Sequence, residues 1–220
     1  MSAAALTSLA AVALVAPLNW WSVAIRGRRR EWVSKPLVLV LLVITAWVGG
    51  ATDSAAGWWL LVALGLSLAG DVALLSESQT RFVVGLASFL LAHVAFVVAF
   101  AHLGMPRSSL ALVGLALVVG LAAVVGRRVV PAAWREGGPA LGGAVTAYMG
   151  VIGVMVVSAW ATGHLLVALG ATVFMVSDAV LAMDRFVRGR RFGALAVMVT
   201  YHLAQVLLVV GVLQALGNLT

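Results

Sequence analysis

The 220-residue chain contains no cysteine, which excludes disulfides and thiolate chemistry. Charge is almost as scarce: Asp, Glu, Lys and Arg make up 10% of the residues, where soluble domains carry about a quarter. No basic residue precedes the apolar, small-residue-rich stretch from Met1 to Ala16. A secretory signal would carry its basic region first, so this stretch is read as a first transmembrane helix rather than a cleaved peptide. No Gly-x-Ser-x-Gly elbow is present, which argues against a serine nucleophile of that kind. No two histidines stand four apart, so the reading includes no metal site, and no cofactor.

What the chain has is apolar length. Hydrophobic residues make up 64% of it, with a mean hydropathy of +1.15. These values predict an all-α polytopic membrane protein with a single transmembrane domain over 1–220. Eight apolar runs are expected, at about 4–25, 33–50, 57–75, 82–103, 108–126, 139–160, 163–183 and 192–216. Their length and all-round hydrophobicity favour helices over the shorter, alternating strands of a barrel.

The net charge of +7 is distributed as an orientation signal, not as a nucleic-acid surface. In an eight-helix arrangement Arg26, Arg28, Arg29, Arg30, Lys35, Arg81, Arg127, Arg128, Arg135, Arg185, Arg188, Arg190 and Arg191 share one side, against Arg107 alone on the other. The positive-inside rule makes the basic side cytoplasmic and both termini extracytoplasmic. Trp20, Trp21, Trp32, Trp47, Trp58, Trp59 and Trp160 fall near helix ends, where an interfacial belt would put them. Arginine outnumbers lysine in an Ala-, Val- and Gly-rich chain, a composition expected of a bacterial inner-membrane protein.

A weak repeat runs through the chain. Gly70-Asp71, Arg81-Phe82 and Phe89 to His93 are followed about half a chain later by Ser177-Asp178, Arg191-Phe192 and Tyr201 to Gln205. Four helices per half would form two parallel repeats.

Asp71 and Asp178 are ionisable groups within apolar runs, and such groups by default mark a functional site. Both are expected about 8–9 Å from the cytoplasmic helix ends at 1.5 Å per residue. Ser67 shares a face with Asp71, and Ser177 is adjacent to Asp178. His93, Tyr201 and Gln205 enter from the returning helices, Tyr148 from the sixth, and Lys35 opens the second. Together they outline one pocket entered from the inner leaflet, with two carboxylates at its narrow part and Lys35 at its mouth. The same residues also admit a structural reading: aspartates paired with arginines, polar groups joining helices, and a lysine that only orients its helix.

Ser34-Lys35-Pro36, Ser67-x-x-Gly70-Asp71, Leu91-Ala92-His93, Ser177-Asp178-x-x-Leu181 and Tyr201-x-x-Ala204-Gln205 form an ordered set over nearly the whole chain. In that set the chain resembles the YhhN family of multi-pass membrane proteins, whose animal members are lysoplasmalogenases. The resemblance implies hydrolysis of the vinyl ether bond of a lysophospholipid substrate in the lipid bilayer. The products would be a fatty aldehyde and a glycerophospho-ethanolamine or -choline. It also implies that Asp71 and Asp178 are catalytic, with Lys35, Ser67, His93, Tyr148, Ser177, Tyr201 and Gln205 around the substrate.

The chemistry suits paired carboxyls. Protonating the alkene carbon gives an oxocarbenium ion, and two carboxyls can divide acid and stabilising roles, as glycosidases do with a similar cation. Two other readings stay open: a carrier or lipid-moving protein using the aspartates as a proton or cation site, and a hydrolase of another lipid bond.

Overall fold

The computed structural model describes residues 2–76, 78–187 and 193–217. Arg188, Arg190, Arg191 and Phe192, part of the basic and repeat patterns above, lie outside the described residues. Among those described, the chain is all-helical without a strand. In order come α1 (Ala3–Ala24), α2 (Arg28–Val48), a short 3₁₀ turn (Ala51–Asp53), α3 (Ala55–Leu74) and α4 (Gln79–Leu103). Then α5 (Ser108–Leu121) passes through a π turn (Ala122–Gly126) directly into α6 (Arg127–Thr162), followed by α7 (Leu165–Phe186) and α8 (Gly193–Ala215).

Seven helices are long and apolar enough to cross a membrane, where sequence led us to expect eight. The difference lies in 108–162. Residues 127–138, expected to form a connection, are helical as far as Glu136, so α5 and α6 make one uninterrupted run. That run nonetheless reverses at Gly137–Gly138. Gly138 holds φ +60° and ψ −155°, a conformation that side chains disfavour, and Pro139 then starts the returning arm. The two arms pack antiparallel. A Cβ at Gly114 would touch Val157, one at Gly153 would touch Val118, and one at Gly126 would touch Met149.

Helix starts follow ordinary capping. Ser2, Ser54 and Ser78 each accept a hydrogen bond from the backbone N–H three residues on, at 3.1–3.2 Å. Lateral packing relies on small residues, as expected where lipid supplies no hydrophobic drive. Gly211 lies so close to α7 that a Cβ there would come within 2.7 Å of the Val167 nitrogen, and Gly170 meets the Leu208 backbone in the same way.

The interior holds Phe96, Phe100, Phe174, Leu208 and Leu213, all fully enclosed. The outer face is apolar too, with Leu14, Leu112, Val119 and Leu165 well exposed, as a lipid-facing surface requires. Helix α8 packs on α1, α2, α3 and α7, so its polar residues face the centre of the bundle.

Candidate functional site

The chain's two tyrosines each hydrogen-bond one of the two intramembrane aspartates. Tyr201, on α8, donates to Asp71 Oδ2 at 2.9 Å. Tyr148, on α6, donates to Asp178 Oδ2 at 2.6 Å. A second partner completes each centre. Lys35 Nζ stands 3.2 Å from Asp71 Oδ1. His93 Nε2 lies 3.7 Å from Asp178 Oδ2, too long for a hydrogen bond in this arrangement.

The pattern is crossed. Each aspartate takes one partner from the helix before its own, Lys35 of α2 or Tyr148 of α6. The other comes from the last helix of the opposite half, Tyr201 of α8 or His93 of α4. An aromatic wall joins the two centres. The Phe174 ring contacts His93 at 4.7 Å and Tyr201 at 5.5 Å between centroids, and Phe89 stands 5.8 Å from Tyr201.

The centres differ in access. Asp71 is 1% exposed and Lys35 is buried with it, whereas the Asp178 side chain is 15% exposed. That exposure opens onto a cavity of about 310 Å³ between α4, α5, α6 and α7, with the end of α3 at its edge. Tyr148, Asp178, Met175, Ile152 and Val118 line it amid otherwise apolar walls, and Arg185 stands at one end. Neither Asp71 nor Lys35 lines it.

Several expectations therefore shift. Lys35 is not at a mouth; it is enclosed against Asp71, because a cation at that depth must find a counter-ion. The aspartates are not equally spaced from their helix ends. Asp71 lies three residues before the end of α3, but Asp178 lies eight before the end of α7, which continues through Arg185 and Phe186. Ser177 donates to the Val197 carbonyl at 3.1 Å and so ties α7 to α8. Ser67 is fully enclosed, and its Oγ has no hydrogen-bond partner among the described residues. Gln205 is fully enclosed one turn beyond Tyr201 on the same face of α8.

Three features of this region were not anticipated. His202 Nδ1 accepts a hydrogen bond from Trp20 Nε1 at 3.0 Å, fastening α8 to α1. Asn19 donates to Ser34 Oγ at 2.9 Å, joining α1 to α2 one residue before Lys35. Arg185 forms a two-pronged pair with Glu136 at the cavity end. A seven-residue step from Asp178 to Arg185 returns to the same helix face, and that spacing was the available signal.

Comparison with known proteins gives one match. The model of the YhhN family covers residues 30–212, most of the chain and every residue of both centres. No curated protein matches, and no solved structure matches.

Proposed function

The chain belongs to the YhhN family, and from that premise we propose that it is an intramembrane hydrolase of the vinyl ether bond in lysoplasmalogen-type lysophospholipids. The observation that carries this reading is the placement of Asp178. It is a carboxyl at bilayer depth, held by Tyr148 and approached by His93, with its remaining surface turned into an apolar cavity of about 310 Å³. Ligand pockets typically run from about 300 to 1,000 Å³, and a wall of this kind accommodates an alkenyl chain.

In this reading Asp178 is the acid. Its proton goes to the alkene carbon two atoms from the ether oxygen, leaving an oxocarbenium ion beside the new carboxylate. That carboxylate then accepts a proton from water as the water oxygen bonds to the cationic carbon. The hemiacetal collapses when Asp178 passes that proton to the glycerol oxygen as the bond from carbon to that oxygen breaks, and takes the hydroxyl proton in return, which frees the aldehyde and restores the acid. One carboxyl thus alternates as acid and base, and general acid–base catalysis of this kind contributes about 10²–10⁴-fold. Tyr148 and His93 hold Asp178 and orient it. Asp71, paired with Lys35 and Tyr201, positions the aromatic wall against which His93 is seated.

The crossed partners of the two aspartates support two parallel repeats of four helices, in which the arms meeting at Gly137–Gly138 count as separate spans. Arg185 bonds Gln79 and Glu136, so the start of α4, the α6 reversal and the end of α7 share one face. With Arg26 to Arg30 in the α1–α2 turn, positive-inside placement makes that face cytoplasmic and both termini extracytoplasmic, in a bacterial plasma membrane.

The test is aldehyde release from a lysoplasmalogen by the purified chain in detergent, with Asp178→Asn as the comparison. Release by wild type and none by the variant supports the reading. Equal activity in both would sink the Asp178 mechanism. Solute flux into proteoliposomes without product formation would favour a carrier, and product from an ester or amide lipid alone would change the bond.

A further inference from the structure

Arg185 lines the cavity beyond Asp178 on α7 and is ion-paired there with Glu136, and the resting fold gives that pair little packing to do. The guanidinium spans both Glu136 oxygens, with Nη1 to Oε2 at 3.1 Å, and its Nη2 also donates to Gln79 Oε1 at 3.1 Å. It lies 5.1 Å from the ring centroids of both Phe82 and Phe186, so its plane is steered from two sides. Yet the two side chains remain 30% and 40% exposed, and an ion pair that open adds little to stability. A second, shallower cavity of about 350 Å³ shares Phe186 with the first and is rimmed by Arg127, Arg128 and Arg135. The surroundings of the mouth are therefore strongly positive.

The order along α7 is informative. Arg185, Asp178 and Met175 all line the cavity, in sequence from rim to depth. Seven residues separate Arg185 from Asp178, about 10 Å of rise. That rise is of the length of an extended glycerol phosphate with its ether oxygen. The guanidinium sits with Glu136 at the α6 reversal and Gln79 at the start of α4, so it marks the rim end of the cavity. Beyond Asp178 the walls become wholly apolar at Met175, Ile152 and Val118.

We propose that Arg185 and Glu136 form a headgroup site for a zwitterionic lysophospholipid, Arg185 taking the phosphate and Glu136 the ammonium. Binding exchanges the internal ion pair for two with the ligand, so neither charge is left unpaired. A guanidinium fork matches phosphate as it matches carboxylate, which is why one can replace the other. The headgroup then lies at the rim, the ether bond at Asp178 and the chain against Met175, Ile152 and Val118. This assignment rests on the hydrolase reading for its ether position, but the headgroup site can be tested separately.

The probes are saturated 1-alkyl ethers, which present no vinyl ether to cleave: an alkylglycerol, an alkyl glycerophosphate and an alkyl glycerophosphoethanolamine, each binding the purified full chain. Wild type is expected to bind both phosphate ligands at least tenfold more tightly than the alkylglycerol. Arg185→Gln should remove that advantage and leave alkylglycerol affinity unchanged, which also shows that the variant is folded. Glu136→Gln should weaken the ethanolamine ligand severalfold but not the simple phosphate. Equal affinity of wild type for all three ligands would overturn the proposal, as would an Arg185→Gln variant that keeps the phosphate preference. If Arg185→Gln binds nothing, Glu136→Gln decides, and unchanged discrimination between the two phosphate ligands overturns the proposal. Expected binding by a wild type that releases no aldehyde from a vinyl ether counterpart leaves the headgroup site standing and removes the hydrolase.

Discussion

Lys35 and Asp71 form an ion pair at 3.2 Å with both side chains nearly closed off, and Tyr201 occupies the other carboxylate oxygen. Removing one partner of such a pair leaves an uncompensated buried charge, at a cost of about 3–5 kcal/mol. Lys35→Met and Asp71→Asn are each expected to lose about that much stability, and Lys35→Met with Asp71→Asn far less than the sum. Reversible unfolding of the four proteins in detergent provides the double-mutant cycle. Additive losses would show that the two charges do not support one another. Activity should return with stability in the double variant, because Asp71 lies outside the cavity wall. A stable but inactive double variant would place Asp71 in the chemistry itself.

Asp178 is expected to show the opposite behaviour. Its side chain touches the cavity, so Asp178→Asn should abolish aldehyde release while changing stability little. Tyr148→Phe removes a 2.6 Å hydrogen bond to that carboxyl. That bond gains strength as the carboxyl gives up its proton, and hydrogen bonds to charged groups are worth about 1.5–3 kcal/mol, so kcat should fall about ten- to a hundredfold. Steady-state kinetics on one lysoplasmalogen decides it, and an unchanged kcat in Tyr148→Phe would remove that tyrosine from the mechanism.

Much of the architecture was legible in the chain, and the reasons are physical. Apolar length places helices well: the run expected over 57–75 overlaps α3, Ala55–Leu74, and that over 163–183 overlaps α7, Leu165–Phe186, each to within three residues at either end. Polar character within apolar runs singles out Asp71, Asp178, Lys35, Tyr148, His93 and Tyr201, and these side chains lie in two linked centres. Partner choice was not legible. Whether Lys35 reaches a headgroup or an aspartate depends on which face of α2 meets α3, a tertiary choice with no local signature. Continuous helix across residues 122–136 was also hidden, since Arg127, Arg128 and Arg135 look like loop charges until packing extends α6 beneath them. Arg185 likewise looks like an orientation charge in the chain, and only the fold brings Glu136 and Gln79 to it.

Ser67 tests how far proximity in sequence implies a role. It stands one turn before Asp71 and is fully enclosed, but its hydroxyl has no hydrogen-bond partner among the described residues. A buried unpaired polar group costs about 1–3 kcal/mol. Ser67→Ala should therefore leave stability unchanged or raise it, with kinetics unaltered. A marked loss of turnover, measured beside an unfolding curve that does not move, would return Ser67 to the substrate site.

The deep end of the cavity sets the final expectation. Ile152 and Val118 line it beyond Asp178, with Met175 a turn deeper on α7. If the alkenyl chain lies there, enlarging Ile152 to Trp fills the space of the chain's far methylenes without touching Asp178 or Arg185. Each methylene kept from apolar contact costs about 0.8 kcal/mol, so displacing three or four costs about 3 kcal/mol, or roughly a hundredfold in kcat/KM. The loss should fall on long-chain substrates, while a short-chain vinyl ether that never reaches Ile152 keeps its wild-type value. Profiles of kcat/KM against chain length for wild type and Ile152→Trp measure this directly. Parallel profiles, displaced by a constant factor at every length, would mean that the chain lies elsewhere and that the cavity serves another purpose.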